Sequence, residues 1–426
     1  MRGRTHVIGS GAAGLACAVS LARVGRRVSL YEAAAEPGGR MRPVRHPDFP
    51  QPLDPGPHLL LSSAWSALAL LSEIGTSDRM LRGEPGLRFH DLESGRGWRM
   101  RPGWQGLPHW VFTPGGRVPG SGAWHYAAAL RLRRAGPETT VAEALGDEGP
   151  LPRRLWGPLC RLLLNCEPEA ASARLFWSVL RVSWLRGTDF ARLIYPRDSL
   201  AEAFLEPAVE RLRERGSEIA TGLGPVGLEL GDERVTGLRV RGETLPVGPE
   251  EAVVLAVPLA EACRLLPALG LRSRGRAIVS AHFLLPDAQA LPGGGRVRLL
   301  VGGLADRLTL QGRVASFTAC AADALLGEEE EPLLARFWAE AAPLLDLAGS
   351  PRPPAALLRR PDATPLQDPT AVAQRPGTRT PLANLLLAGD WVPQALAAGL
   401  DAAVASGQAA AWAVLGGDPD SVIKRF

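Results

Sequence analysis

A chain of 426 residues, 46% hydrophobic and 22% charged, reads as globular and soluble, long enough for two or three domains with cores of their own. It holds no uncharged apolar run of about eighteen residues, so no transmembrane helix is expected, and a strand begins so near the N-terminus that no signal peptide is expected either. The net charge of +4 is modest and carried almost wholly by arginine, with Lys424 the sole lysine; no nucleic-acid-binding motif accompanies it, and five cysteines (Cys17, Cys160, Cys166, Cys263, Cys320) without CxxC spacing fit free thiols in a reducing cytosol, not a metal site or a disulfide framework.

The chain opens on a short apolar run, His6-Val7-Ile8, that stops at Gly9-Ser10-Gly11-Ala12-Ala13-Gly14. Helix formers continue to Arg23, and a second apolar run, from Val28 to Tyr31, ends on Glu32. This is the strand–turn–helix–strand pattern of a dinucleotide site. Gly9 permits the tight turn, Gly11 lets the backbone approach a pyrophosphate, and Gly14 lets helix and strand pack closely. The N–H groups of Ser10, Ala12 and Ala13 and the helix dipole favour phosphate there. Glu32 is placed to accept the ribose hydroxyls, which argues for FAD or NAD and against NADP.

Further along, Ser62 or Ser63 is a candidate cap for a helix through Trp65, Leu68, Leu71 and Ile74. Residues 86–119, rich in Gly, Pro, Trp and Arg, lead into a second domain. Residues 124–186 read as mostly helical, and Thr140-Val141-Ala142-Glu143 has the form of a capping box. A helix over residues 200–215 leads back. Residues 216–219 and 226–230 read as paired strands, with Val226 a candidate cofactor contact; residues 234–240 and 252–258 read as two more. Strands are expected over residues 277–285, 297–301 and 315–320, and the acidic run at 328–331 as a solvated helix start. Near the end a strand from Asn384 stops at Gly389-Asp390-Trp391, and a helix runs from Leu400 to Leu415.

Glu36-Pro37-Gly38-Gly39-Arg40 resembles the extension found in the FAD-dependent amine oxidases and carotenoid or phytoene desaturases. That resemblance implies FAD: Gly39 brings the backbone to the flavin side of the cofactor, and Arg40 contacts the pyrophosphate. Gly389-Asp390 resembles the C-terminal FAD signature of the same oxidases, which implies that Asp390 bonds the ribityl chain and that the helix start at Leu400 points its dipole at the flavin N1/O2 edge. The expected fold is α/β. A Rossmann-like FAD-binding domain, three-layered on a parallel sheet, takes residues 1–85, 200–268 and 376–418. A discontinuous α+β substrate domain takes residues 86–199 and 269–375, and residues 419–426 are a tail.

Longer stretches resemble a narrower family. Asp54-Pro55-Gly56-Pro57-His58-Leu59-Leu60-Leu61, Leu164-Asn165-Cys166-Glu167-Pro168-Glu169-Ala170-Ala171-Ser172-Ala173 and the segment from Asn384 to Trp391 are similar to the hydroxysqualene dehydroxylases, also called squalene-associated FAD-dependent desaturases. Pro55 and Pro57 stand where that family carries Asn and Gln, Gly399 where Thr is usual, and Asp401 where Glu is expected. The resemblance implies reductive loss of a hydroxyl from hydroxysqualene, a long isoprenoid substrate, an electron donor, and Gly56 and Pro57 against the flavin ring. His58 is the candidate proton donor, with Asp54 to orient it or to replace it. An insoluble substrate points to a cytoplasmic protein that docks on the inner face of the membrane, through Arg174, Phe176, Trp177, Trp184, Leu185 and Arg186. Two other readings stand beside it: an oxidative carotenoid or squalene desaturase, and a non-catalytic FAD-binding scaffold in an isoprenoid assembly. An amine oxidase proper is disfavoured, because many of those place a lysine near the flavin.

Overall fold

The structure, a computed structural model, describes residues 3–56, 58–101, 109–291, 294–392 and 395–423. Among them, five strands form a wholly parallel sheet: β1 (Thr5–Ile8), β2 (Val28–Tyr31), β3 (Glu218–Ala220), β4 (Ala252–Leu255) and β5 (Leu385–Leu387), in the order β5-β4-β1-β2-β3. All but β3 are buried at every residue. A parallel sheet covered on both faces requires this, which is why these strands read as unbroken apolar runs. One face carries α1 (Ala12–Arg23), α2 (Trp65–Glu73), the helix Glu206–Glu214 and α3 (Leu400–Val414), packed through Leu15, Leu21, Leu70 and Val404. The other face carries an antiparallel sheet of Gly227–Leu230, Val235–Val240 and Glu243–Pro246. The result is a three-layer α/β unit.

Residues 216–219 and 226–230 are not paired. The helix Glu206–Glu214 returns the chain so that β3 runs parallel to β2 and extends the main sheet. Gly227–Leu230 pairs instead with Val235–Val240, to which a short turn joins it. Neither Ser62 nor Ser63 caps α2. Its N-cap is Ala64, and the acceptor comes from the far end of the chain: Asp401 Oδ1 takes the Ala67 N–H at 2.9 Å. Ser62 is held elsewhere, donating to the Asp189 carbonyl at 2.5 Å. α1 and α3 touch closely, since a Cβ on Gly407 would lie 2.1 Å from the Ala13 carbonyl oxygen.

The second unit is built on a seven-stranded sheet in the order Ala355–Pro365, Gly275–Leu284, Val314–Ala319, Arg307–Gln311, Val297–Val301, Leu87–Asp91, Arg96–Met100. The sequence reading passes over Arg307–Gln311 and Ala355–Pro365, where Arg, Thr and Pro interrupt the apolar run. The helix Glu330–Leu344, which starts within the acidic run, packs on one face through Phe337 and Trp338. Helices from residues 129–182 cover part of the other through Leu159 and Phe176. The capping box forms, with Glu143 N donating to Thr140 Oγ1 at 3.3 Å and Thr140 N to Glu143 Oε2 at 2.8 Å. No helix among the described residues is long and apolar enough to cross a membrane.

Candidate cofactor and substrate site

The turn from β1 into α1 owes each glycine to a different cause. Gly9 has φ 99°, and a Cβ there would lie 2.5 Å from the Ala256 carbonyl oxygen. A Cβ on Gly14 would lie 1.9 Å from the Gly9 carbonyl oxygen. Gly11 has an ordinary extended backbone, and a Cβ there would meet no protein atom within 4 Å. The protein itself does not need glycine at Gly11, so the residue fits a ligand brought against the backbone at the N-terminus of α1, beside Ser10, Ala12 and Ala13. Gly39 closes over this turn, its own Cβ position 3.2 Å from Gly11 Cα.

Glu32 is buried at the end of β2. Its Oε2 accepts the Ser10 N–H at 3.0 Å and the Ser10 hydroxyl, and its Oε1 accepts the Ala34 N–H at 2.9 Å. A ribose there has to share the carboxylate with Ser10. Arg40 Nη2 donates to Asp390 Oδ1 at 2.7 Å and Nη1 to the Ala363 carbonyl at 2.8 Å. The two residues assigned to pyrophosphate and ribityl are thus paired with each other, and the segment after β2 is locked to the segment after β5. Gly389 N donates to Ser406 Oγ, midway along α3, at 3.0 Å, which ties the Gly389-Asp390 turn to the helix that Leu400 begins. Val226 is buried in the core that also holds Ile8 and Tyr31. Pro57 lies outside the described residues.

Asp54 is buried, with Oδ2 accepting the Leu200 N–H at 3.4 Å and Oδ1 enclosed without a partner. Burial pushes its carboxyl up to about 6, against the pull of that N–H. His58 Nε2 is also enclosed without a partner. Burial, then Arg307, Arg40 and Arg360, push its imidazole down to about 4. Between them, a Cβ on Gly56 would meet no protein atom within 4 Å. Near neutral pH the imidazole is therefore uncharged and the carboxyl titrates closest to the working range. Burial first, and then these cationic surroundings, disfavour a charged His58, the first candidate proton donor. Arg307 and Arg360 come from the seven-stranded sheet and were not singled out in the sequence. The signal available was the alternation Arg307-Leu308-Thr309-Leu310-Gln311.

Residues 7–73 match the NAD(P)-binding Rossmann-like domain family. The hydroxysqualene dehydroxylase of Rhodopseudomonas palustris is 35% identical over 412 residues, covering 96% of this chain and 98% of that protein. That of Sinorhizobium fredii is 33% identical, covering 95% and 97%. The chain belongs to the hydroxysqualene dehydroxylases. The fold is that of solved amine oxidases, among them cyclohexylamine oxidase from Brevibacterium oxydans, at a TM-score of 0.69 and 17% identity over 97% of this chain and 98% of that one. In this dehydroxylase the Asn165–Ala173 block has a structural account. Asn165, in the left-handed conformation, donates to the Arg276 carbonyl and Thr364 Oγ1 at 3.3 and 3.0 Å and accepts the Ala321 N–H at 2.7 Å. Ser172 caps the helix Ala173–Val182. The block that marks the family is a latch between the helical layer and the large sheet.

Proposed function

We propose that the chain binds FAD non-covalently and converts hydroxysqualene to squalene, with loss of the hydroxyl as water. One observation carries this reading: two buried polar atoms without protein partners, Asp54 Oδ1 and His58 Nε2, flank the unobstructed backbone at Gly56. The turn from Gly9 to Gly14, with Gly39 over it, fits the pyrophosphate, Glu32 the adenosine ribose, and Asp390 with the start of α3 the flavin half. No cysteine or histidine lies within residues 388–403, so no covalent link is expected. When bound and reduced, FAD supplies the hydride. Asp54, its carboxyl raised by burial, gives the proton that lets the allylic hydroxyl leave as water. Burial, and after it the arginines around His58, keep the imidazole from taking that proton. Leu59, Leu61 and Trp177, half-buried against an apolar core, suit the hydrocarbon.

For the membrane contact, a surface other than residues 174–186 is the better candidate. Phe176 and Trp184 are buried. Phe112, Trp124 and Leu130 are instead 74%, 70% and 66% exposed, on neighbouring turns joined by an edge contact of Trp110 and Tyr126 at 5.0 Å. Arg131, Arg133 and Arg134 are exposed beside them. Apolar tips with adjacent cations fit an anionic bilayer surface, from which an insoluble substrate enters.

The test is anaerobic single turnover of the reduced holoenzyme with hydroxysqualene. Flavin reoxidation with an equal amount of squalene is expected, and Asp54→Asn should slow it by about 10²–10⁴. Reduced flavin that is not reoxidised rejects the reaction, and product with added unsaturation on the oxidised enzyme supports the desaturase instead.

A further inference from the structure

Across three adjacent strands of the seven-stranded sheet, one face is apolar and the other is largely polar. On its adjacent strands Gly275–Leu284, Val314–Ala319 and Arg307–Gln311, alternate residues point opposite ways. Ala281, Phe283, Leu308, Leu310, Ala315 and Phe317 share the core with the helix Glu330–Leu344. The opposite register holds Ser280, His282, Arg307, Thr309, Ser316 and Thr318, all buried. Strands enclosed on both faces are ordinarily apolar throughout, and a buried polar group without a partner is costly.

The register arranges these residues in rows. Ser280 lies opposite Thr318, with 3.1 Å between their hydroxyl oxygens, and that pair is satisfied. The next row is His282 opposite Ser316 opposite Thr309. Ser316 Oγ and His282 Nδ1 are 2.8 Å apart, which fixes the ring, yet His282 Nε2 is enclosed without a partner and so is Thr309 Oγ1. The row adjoins the reaction loop. Arg307, two residues before Thr309 on the same face, acts on His58. Phe49 and Leu53, which precede His58, pack on Val314 and Ala356, and Ala356 is the strand partner of His282.

We propose that His282 Nε2 is the direct partner of the substrate's hydroxyl and that Ser316 is its positioning residue. This rests on the reading that the substrate is a hydroxylated isoprenoid. Such a molecule is a hydrocarbon with one polar atom, so one unpaired polar group in a closed interior decides how far it slides in. A hydroxyl both donates and accepts, so either tautomer of the imidazole serves. His282 is favoured over Thr309 because its ring is fixed and reaches further from the sheet. Burial, with His46 nearby, holds the imidazole down to about 4, so it meets the hydroxyl uncharged and leaves proton donation to Asp54. Squalene leaves Nε2 unpaired again, so product binds more weakly than substrate.

The experiment titrates oxidised holoenzyme with hydroxysqualene and with squalene in one detergent, read by the absorbance change of the bound flavin. Wild type should prefer hydroxysqualene by about 10–100-fold. His282→Phe should erase that preference while keeping wild-type affinity for squalene, Ser316→Ala should reduce it, and Thr309→Val should retain it. A His282→Phe protein with the wild-type preference overturns the assignment. So does a wild type without preference, or loss of preference on Thr309→Val alone. Should His282→Phe carry no FAD, Ser316→Ala decides, and an unchanged preference there overturns the assignment. Failure of the underlying reading shows separately, as wild-type enzyme that does not form squalene in single turnover.

Discussion

Gly11→Ala separates what the fold needs from what the cofactor needs. The new Cβ would meet no protein atom within 4 Å, and the backbone, at φ −69° and ψ −177°, suits alanine. Restricting the unfolded chain contributes about 0.4–1 kcal/mol of stability. Gly11 is also the N-cap of α1, where alanine is a poorer residue by about 1 kcal/mol. The two effects offset, and apo stability should stay within about 0.5 kcal/mol of wild type. A methyl group pressed against a pyrophosphate should cost binding about 1–3 kcal/mol, or about 5–150-fold in Kd for FAD. Gly14→Ala is the contrast: its Cβ falls 1.9 Å from the Gly9 carbonyl oxygen, so α1 must move and the apo protein should be destabilised. Urea unfolding of the apo proteins and FAD titration by fluorescence quenching give both numbers. A Gly11→Ala protein that binds FAD as tightly as wild type, or that is itself strongly destabilised, refutes the reasoning.

Glu32→Ala should weaken FAD by about 1.5–3 kcal/mol and also lower the apo Tm, because the N–H groups of Ser10 and Ala34 lose their acceptor; unchanged FAD content after dialysis with an unchanged Tm contradicts this. Asp401→Ala removes the cap of α2 and should cost about 1–2 kcal/mol in apo unfolding, with Ser63→Ala, a residue outside that cap, near neutral. Asp54 and Asp401, raised by burial from 3.8 to about 6, stabilise the fold when protonated, so their contribution is lost as pH rises from about 4 to 6. His58 and His282, lowered from 6.5 to about 4, stabilise it when neutral, and theirs is lost as pH falls over nearly the same range. The pairs oppose each other, and His6 and His90, also lowered by burial, act in the same sense as the other histidines, so between pH 4 and 6.5 the Tm of apo protein carrying His58→Ala and His282→Phe should fall relative to that of wild type, and a difference that does not grow with pH would count against the assigned shifts. In low-salt flotation with anionic liposomes, serine at Phe112, Trp124 and Leu130 together should abolish association; association that survives the triple replacement removes the patch.

The Rossmann-like half was legible in the amino-acid sequence because most of its constraints are local. Gly9, Gly14 and Glu32 act on residues near them in the chain or on the next strand, and apolar runs such as Val28–Tyr31 announce a doubly covered parallel strand before any partner is known. The same holds for the Thr140 capping box. Tertiary structure decided whatever joins distant segments. Asp401 caps α2 from 334 positions away, in place of Ser62 or Ser63, and Arg40 pairs with Asp390 across 350. It also decided protonation, since Asp54 and His58 carry ordinary values in an unfolded chain and part company only when burial acts on both and arginines, among them Arg307 and Arg360 of the seven-stranded sheet, act on the histidine. His282, Ser316 and Thr309 look in sequence like polar residues scattered among apolar ones. They become a row only when three strands align in register, because side chains on separate strands share a face through pairing that no single strand encodes.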